Sequence, residues 1–234
     1  MAATRTSSNG GKNVFIVYAH PKPESFNGAL LRTAVDVLKS HGHSVEVSDL
    51  YEMGFDPLVR LDDFSVDVCR VVQGEVDKVE RADLVVFQFP LYWCSFPAIL
   101  KGWMDRVIQV MSGFVRKTGL YEEGALRGKR ALLSFTTGAP SIPFESLEAM
   151  LLPMQVGTLN VVGFDVLPPQ VSLGVENATG EKLEKYLAAW IERLSGVFEE
   201  PTAELLTIDK WAKKHSVLIL TARAKSDPTQ AKHF

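Results

Sequence analysis

Three short clusters in this chain carry residue types that could do chemistry. His20, Ser25 and Asn27 stand in AHPKPESFNGAL, directly after an apolar run and where the chain turns into a helical pattern. A helix N-terminus exposes free N–H groups and the positive end of its dipole, so an anion such as a cofactor phosphate is stabilised there. Tyr92 and Trp93 follow a second apolar run in FQFPLYW and offer flat rings against which a planar cofactor could stack. Thr136, Thr137, Gly138 and Ala139 follow a third. Small residues there let the backbone approach a ligand, and consecutive N–H groups can form an anion-binding nest. Taken singly, each cluster also fits an ordinary loop or a core aromatic. Their conjunction carries the argument.

Those clusters need elements to hold them. Asn13 to His20 reads as a buried strand, and the helix that follows is capped by Ser25 or Asn27, with Leu30, Leu31, Ala34, Val35 and Leu38 as its apolar face and Gly42 as its stop. His43 to Tyr51 alternates like a strand nearer the sheet edge. Val71 to Arg81 has helical periodicity, with Glu75 and Lys78 expected on its solvated face. Leu84 to Phe87 is β-branched and apolar, as a buried parallel strand must be, and Pro90 should end it. Pro97 then fits the first turn of a helix bearing Ile99, Leu100, Trp103, Met104 and Val107.

In the second half, Met111 to Leu126 is loop-like, with Tyr121 able to roof a pocket, and Arg130 to Phe135 is the next strand. Ser146 to Val162 reads as a buried helix. Phe164 to Leu173 begins as a last strand that Pro168 and Pro169 make irregular. Asn177 to Glu199 reads as an amphipathic helix with Thr179 as its cap. About five strand–helix alternations argue for an α/β, flavodoxin-like three-layer sandwich around a five-stranded parallel sheet of order 2-1-3-4-5. Residues 13–200 form that domain, after a flexible N-terminus at 1–12 and before a C-terminal extension at 201–234.

Composition removes several function classes. With 234 residues and a net charge of -3, the chain has no basic surplus of the kind nucleic-acid binding needs. No apolar run reaches the length of a membrane span, and the N-terminal residues lack the apolar centre of a signal peptide. Cys69 and Cys94 have neither metal spacing nor a disulfide framework, so a cytoplasmic protein without a metal site is expected. G-x-G-x-x-G is absent, which argues against a Rossmann dinucleotide site. In a doubly wound sheet the three clusters fall at strand carboxyl ends on one edge, where ligands bind. An anion cradle, an aromatic wall and a backbone nest together suit a flavin, which has a phosphate, a planar ring and an N1/O2 edge that turns negative on reduction.

At these residues the sequence resembles the NAD(P)H:quinone oxidoreductase, DT-diaphorase-like flavoproteins, including their dihydronicotinamide-riboside-using branch. The matching stretches are YAHPKPESFNGAL, VSDLYEMGFDP, ADLVVFQFPLYWCSFPAILKGWMDRV and LLSFTTGAP, with a looser match in LPMQVGTLNVVGFDVLPPQVS. The resemblance implies a homodimer that uses bound FAD, with FMN as the other option, to carry a hydride from NAD(P)H to a quinone or other small aromatic acceptor. It implies that His20, Ser25, Phe26 and Asn27 hold the flavin phosphates and ribityl chain. Leu91, Tyr92, Trp93 and Cys94 would line the ring, and Thr136, Thr137, Gly138 and Ala139 would bind its N1/O2 side. Tyr92 and Trp93 are then the residues expected at the reacting face.

Three departures qualify that transfer. Where animal members have a Tyr and a nearby His that relay protons, this chain has Phe144 and no His between Pro140 and Pro153. A phenyl ring cannot donate a proton, so water or another group must protonate the product. Ala139 replaces a second glycine and must tolerate a Cβ in the nest. The connection from Pro57 to Arg81 is shorter than in animal members, and where those members bring an Arg to the adenosine phosphates this chain has Leu183, with Lys182 and Lys185 as neighbours. Two other outcomes share the fold: a flavin-binding regulatory subunit of a membrane transporter, and an azo- or nitroreductase.

Overall fold

The computed structural model describes residues 10–64, 69–111 and 119–205. The sheet is parallel, with β1 (Asn13–Tyr18), β2 (Ser44–Asp49), β3 (Leu84–Pro90), β4 (Arg130–Thr137) and β5 (Asp165–Val166) in the order β2-β1-β3-β4-β5, and a further strand β6 (Gln170–Leu173) also paired with β4. Every residue of β3 is buried, and β1 and β4 are buried past their first residue. A central strand covered on both faces must read that way. The edge strand β2 is mostly exposed, as its alternation requires.

Helices α1 (Phe26–Ser40), α2 (Arg70–Arg81), α3 (Ala98–Trp103), α4 (Phe144–Met154) and α5 (Gly180–Ser195) cover the two faces. α1 and α5 share one of them, packed on Val14, Ile16, Leu84, Val86 and Leu132. The fully buried Trp190 of α5 joins them, its Nε1 donating to the Leu30 carbonyl at 3.1 Å. On the opposite face Trp103 lies against Phe15 and Phe87. Both expected caps form: Ser25 accepts from the Gly28 amide and Thr179 from the Lys182 amide.

Several elements differ from the sequence expectation. Phe164 to Leu173 is two short strands, because Pro168 and Pro169 between them have no N–H to give the ladder. β3 runs on past Phe87 and does end at Pro90, which still pairs with Thr136 as the strand's last residue. β4 extends through Thr136 and Thr137, so these residues are strand rather than loop. α4 contains Pro153, whose missing amide is followed by a π turn over Gln155–Leu159. The last helix is shorter than expected at both ends.

The largest correction concerns Glu75. It is 1% exposed, not solvated. Its carboxylate accepts from Ser48 Oγ at 3.0 Å, Lys78 Nζ at 2.7 Å and Trp103 Nε1 at 2.9 Å. Helical periodicity through Val72, Val76 and Val79 left Glu75 outside the apolar stripe. It could not show that an indole N–H waits there from a helix further along the chain.

Residues through Glu204 pack as one compact unit. The Ala203 amide still donates to the Val166 carbonyl at 2.8 Å, so the first residues of the expected extension remain attached to β5. The remainder of that extension from residue 206, the lead-in at 1–9 and residues 112–118 of the expected loop lie outside the described residues.

Candidate flavin site at the sheet edge

The carboxyl ends of β1, β3 and β4 converge, and side-chain hydrogen bonds tie them together. Asn27, in the first turn of α1, donates through Nδ2 to Thr136 Oγ1 at 2.7 Å. Its Oδ1 accepts from Gln88 Nε2, also at 2.7 Å. All three residues are buried. The Leu91 amide donates to the Thr136 carbonyl at 2.8 Å, which fixes the aromatic loop against β4. Asn27 therefore has its amide committed inside the protein, where it joins the first expected cluster to the third.

The first cluster is a formed helix start. Ser25 is extended (φ -67°, ψ 166°) and its Oγ accepts from the Gly28 amide at 3.2 Å. Gly28 is required by closeness, since a Cβ there would lie 1.9 Å from the Pro23 carbonyl oxygen. His20 Nδ1 accepts from the Lys22 amide at 3.0 Å. Nδ1 also lies 3.1 Å from the Lys22 carbonyl oxygen, so the neutral ring accepts from the amide or donates to the carbonyl according to its tautomer. Burial pushes the His20 pKa down and favours that neutral form, partly opposed by the Lys22 backbone contact. Phe26 turns inward and packs on Tyr186 of α5, with ring centroids 6.2 Å apart.

The second cluster is a tight hairpin. Tyr92 and Ser95 exchange two backbone hydrogen bonds, at 3.1 and 3.0 Å, around Trp93 and Cys94. Both central residues are left-handed, with φ of 49° and 58°. This is the geometry of a type I′ turn, which normally selects Asn or Gly. Two ordinary side chains held there store strain, and strain of this kind concentrates at functional sites. The turn presents Trp93 at 99% exposure, with Tyr92 at 44%.

The third cluster is half strand, half turn. Thr136 and Thr137 are buried, and Thr137 Oγ1 accepts from the Ala139 amide at 3.1 Å. Ala139 is not among the positive-φ residues, so its Cβ is tolerated. Gly138 keeps the surface open, since a Cβ there would lie 3.2 Å from a carboxylate oxygen of Glu176. Phe144 begins α4 a few residues further on.

Sequence reasoning missed three residues near this edge: Gln88, Tyr18 and Glu176. Gln88 had a readable signal, being a polar residue inside the otherwise apolar β3. Glu176 had none, because its position depends on how the turn between β6 and α5 folds back. Of the two lysines beside Leu183, Lys185 pairs with Glu181 in solvent, while Lys182 lies over the Tyr186 ring at 5.6 Å. A cavity of about 180 Å³ lies elsewhere, between Met104 to Gln109 and Gly157 to Val162, and none of the candidate residues lines it. Among the described residues no His, Cys, Asp and Glu cluster could hold a metal, and no helix is long and apolar enough to cross a membrane.

A doubly wound parallel sheet with its polar residues gathered at one carboxyl edge is the architecture of a ligand-binding α/β protein. Residues 12–194 match the flavodoxin-like fold family, and the chain belongs to it. It is 41% identical over 218 residues to a ribosyldihydronicotinamide dehydrogenase [quinone] of Rattus norvegicus, across 81% of this chain and 94% of that protein. It is 34% identical to the NAD(P)H dehydrogenase [quinone] 1 of Cavia porcellus, covering 81% of this chain and 78% of the relative. The solved NAD(P)H:quinone oxidoreductase of Methanothermobacter marburgensis superposes with a TM-score of 0.68 at 25% identity, over 81% of this chain and 98% of its own. These relatives are oxidoreductase enzymes that bear out the resemblance drawn from the motifs.

Proposed function

We propose that this edge binds a flavin and that the protein transfers two electrons from a reduced nicotinamide to a quinone. The observation that supports it best is the Gln88–Asn27–Thr136 bridge, which fastens the anion cradle to the nest, while the Leu91 amide ties the exposed aromatic hairpin to the same Thr136. A bound flavin would accept a hydride from one substrate and pass it to the next. The chain's part is placement. Tyr92 and Trp93 supply flat surface for stacking, and the His20 ring together with the capped start of α1 supplies hydrogen-bonding groups for a phosphate. Thr136 to Ala139 supplies donors for the ring edge that gains negative charge. In this reading the flavin is FAD, with Lys182 of α5 as the candidate cation for a second phosphate.

The same reading makes the working unit a homodimer. Support comes from apolar side chains left in solvent on the described surface, among them Leu58 at 69%, Leu61 at 88% and Trp93 at 99% exposure. We place its action in the cytoplasm, in keeping with the free cysteines Cys69 and Cys94. Purified protein should be yellow, should release FAD on denaturation, and should oxidise NADH, NADPH or dihydronicotinamide riboside when menadione is added. A colourless protein that also fails to bind added FAD or FMN would end this reading. Full flavin occupancy with background turnover would favour a regulatory role instead.

A further inference from the structure

Five buried side-chain polar atoms have no hydrogen-bond partner among the described residues: Tyr18 Oη, Gln88 Oε1, Arg130 Nε, Ser134 Oγ and Ser172 Oγ. Four of them lie on one face of the sheet, on neighbouring strands. Tyr18 pairs with Gln88 across β1 and β3, Gln88 with Ser134 across β3 and β4, and Ser172 of β6 with Thr136 of β4. All continue the two-residue period of Val14, Ile16, Leu84, Val86 and Leu132, so they face α1 and α5. Neighbouring strands lie about 4.8 Å apart, a separation that one water can bridge between side chains. Tyr18 approaches Ser25 without a hydrogen bond of regular geometry.

Buried polar groups in folded proteins are nearly all satisfied, and four such deficits side by side would rival the stability of a whole domain. The bridge at the site has a direction as well. Gln88 donates to Asn27, and Asn27 donates to Thr136. Thr136 thus accepts from inside, and its own hydroxyl proton has no acceptor among the described residues. Gln88 Oε1, at the start of the chain, lacks the donor it needs.

We propose that Tyr18, Gln88, Ser134 and Ser172 enclose bound water, and that this water roots a one-way hydrogen-bond chain through Gln88 and Asn27 that holds Thr136 as a donor to the ligand. Gln88 is then a positioning residue, touching no ligand itself. The water site stands on the structure alone. The role of Thr136 as donor to a ring edge rests on the flavin reading.

Ser134→Ala tests the water by the sign of its effect. In a dry site the change removes an unpaired hydroxyl and raises Tm. In a wet site it takes a partner from the water and lowers Tm by about 2–4 °C for a chain of this size. A high-resolution crystal structure of the full chain should show ordered water within hydrogen-bond distance of Gln88 Oε1, Ser134 Oγ and Ser172 Oγ. A raised Tm, an empty region, or direct hydrogen bonds among these groups would overturn the proposal. For the directional part, Gln88→Met saturated with flavin should hold the reduced form about tenfold less tightly relative to the oxidised form, a fall of about 30 mV in potential. An unchanged potential refutes the positioning role. Failure of the unaltered protein to bind flavin defeats the flavin reading, and the water site is then decided by the Tm and density results.

Discussion

The two faces of the sheet handle buried polarity in opposite ways. On the α2 and α3 side, Glu75 has three donors, and Arg106 meets Asp63 through two nitrogens at 2.8 and 2.9 Å and the Asp56 carbonyl through the third. Arg106 also lies over the Phe55 ring. On the α1 and α5 side, the polar groups at the carboxyl end satisfy one another only in part. A closed network specifies structure. An open one, beside an exposed hairpin and a helix start, marks the place where something else completes the protein.

Breaking the closed face should have the largest effect. Arg106→Met leaves Asp63 buried and uncompensated, and urea denaturation should show a loss of about 3–5 kcal/mol. Adding Asp63→Leu should restore most of it. If Arg106→Met is silent, the closed network carries no structural weight and the contrast fails. On the open face, Asn27→Ala severs the bridge, with an expected loss of about 1–3 kcal/mol of stability and flavin affinity at least about tenfold weaker by titration. Unaltered affinity would show that the three clusters act independently.

Two smaller effects sharpen the contrast. Cys94→Gly should relieve left-handed strain and stabilise the protein by about 0.5–1 kcal/mol in thermal melts, since glycine accepts that φ without a Cβ penalty. Acidification adds the last test. His20 and His43 are both shifted down, chiefly by burial, so the folded protein binds fewer protons than the unfolded chain as pH falls below the ordinary histidine value. Stability should be complete above about pH 6.5 and decline as pH falls through the lowered folded-state values, while Asp63, held low by Arg106, stays ionised until well below them. Melting temperatures between pH 7 and 5 should show the decline, and His20→Gln should reduce it.

Much of the fold was legible because parallel strands buried on both faces must be nearly continuously apolar, and Val14 to Val17, Leu84 to Phe87 and Ala131 to Leu133 are. The caps at Ser25 and Thr179 were legible too, since a hydroxyl before a helical stripe has few other uses. Less could be read where partners come from afar. Glu75 looked solvated because Trp103 lies on a later helix, and Asn27 looked like a ligand contact because its two partners are 61 and 109 residues away. The prolines were legible as breaks: Pro90 is the last residue of β3, and Pro168 and Pro169 interrupt the last expected strand and leave two short ones.

The Trp93 turn has an optical consequence. Trp103 and Trp190 are fully buried, and Trp93 is almost wholly in solvent. With Trp211, which lies outside the described residues, replaced by Phe, the Trp93 emission should be red-shifted and open to iodide, and anything that lies against the hairpin should extinguish it while leaving the two interior indoles bright. The protein thus carries its own fluorescent gauge of whether that edge is covered.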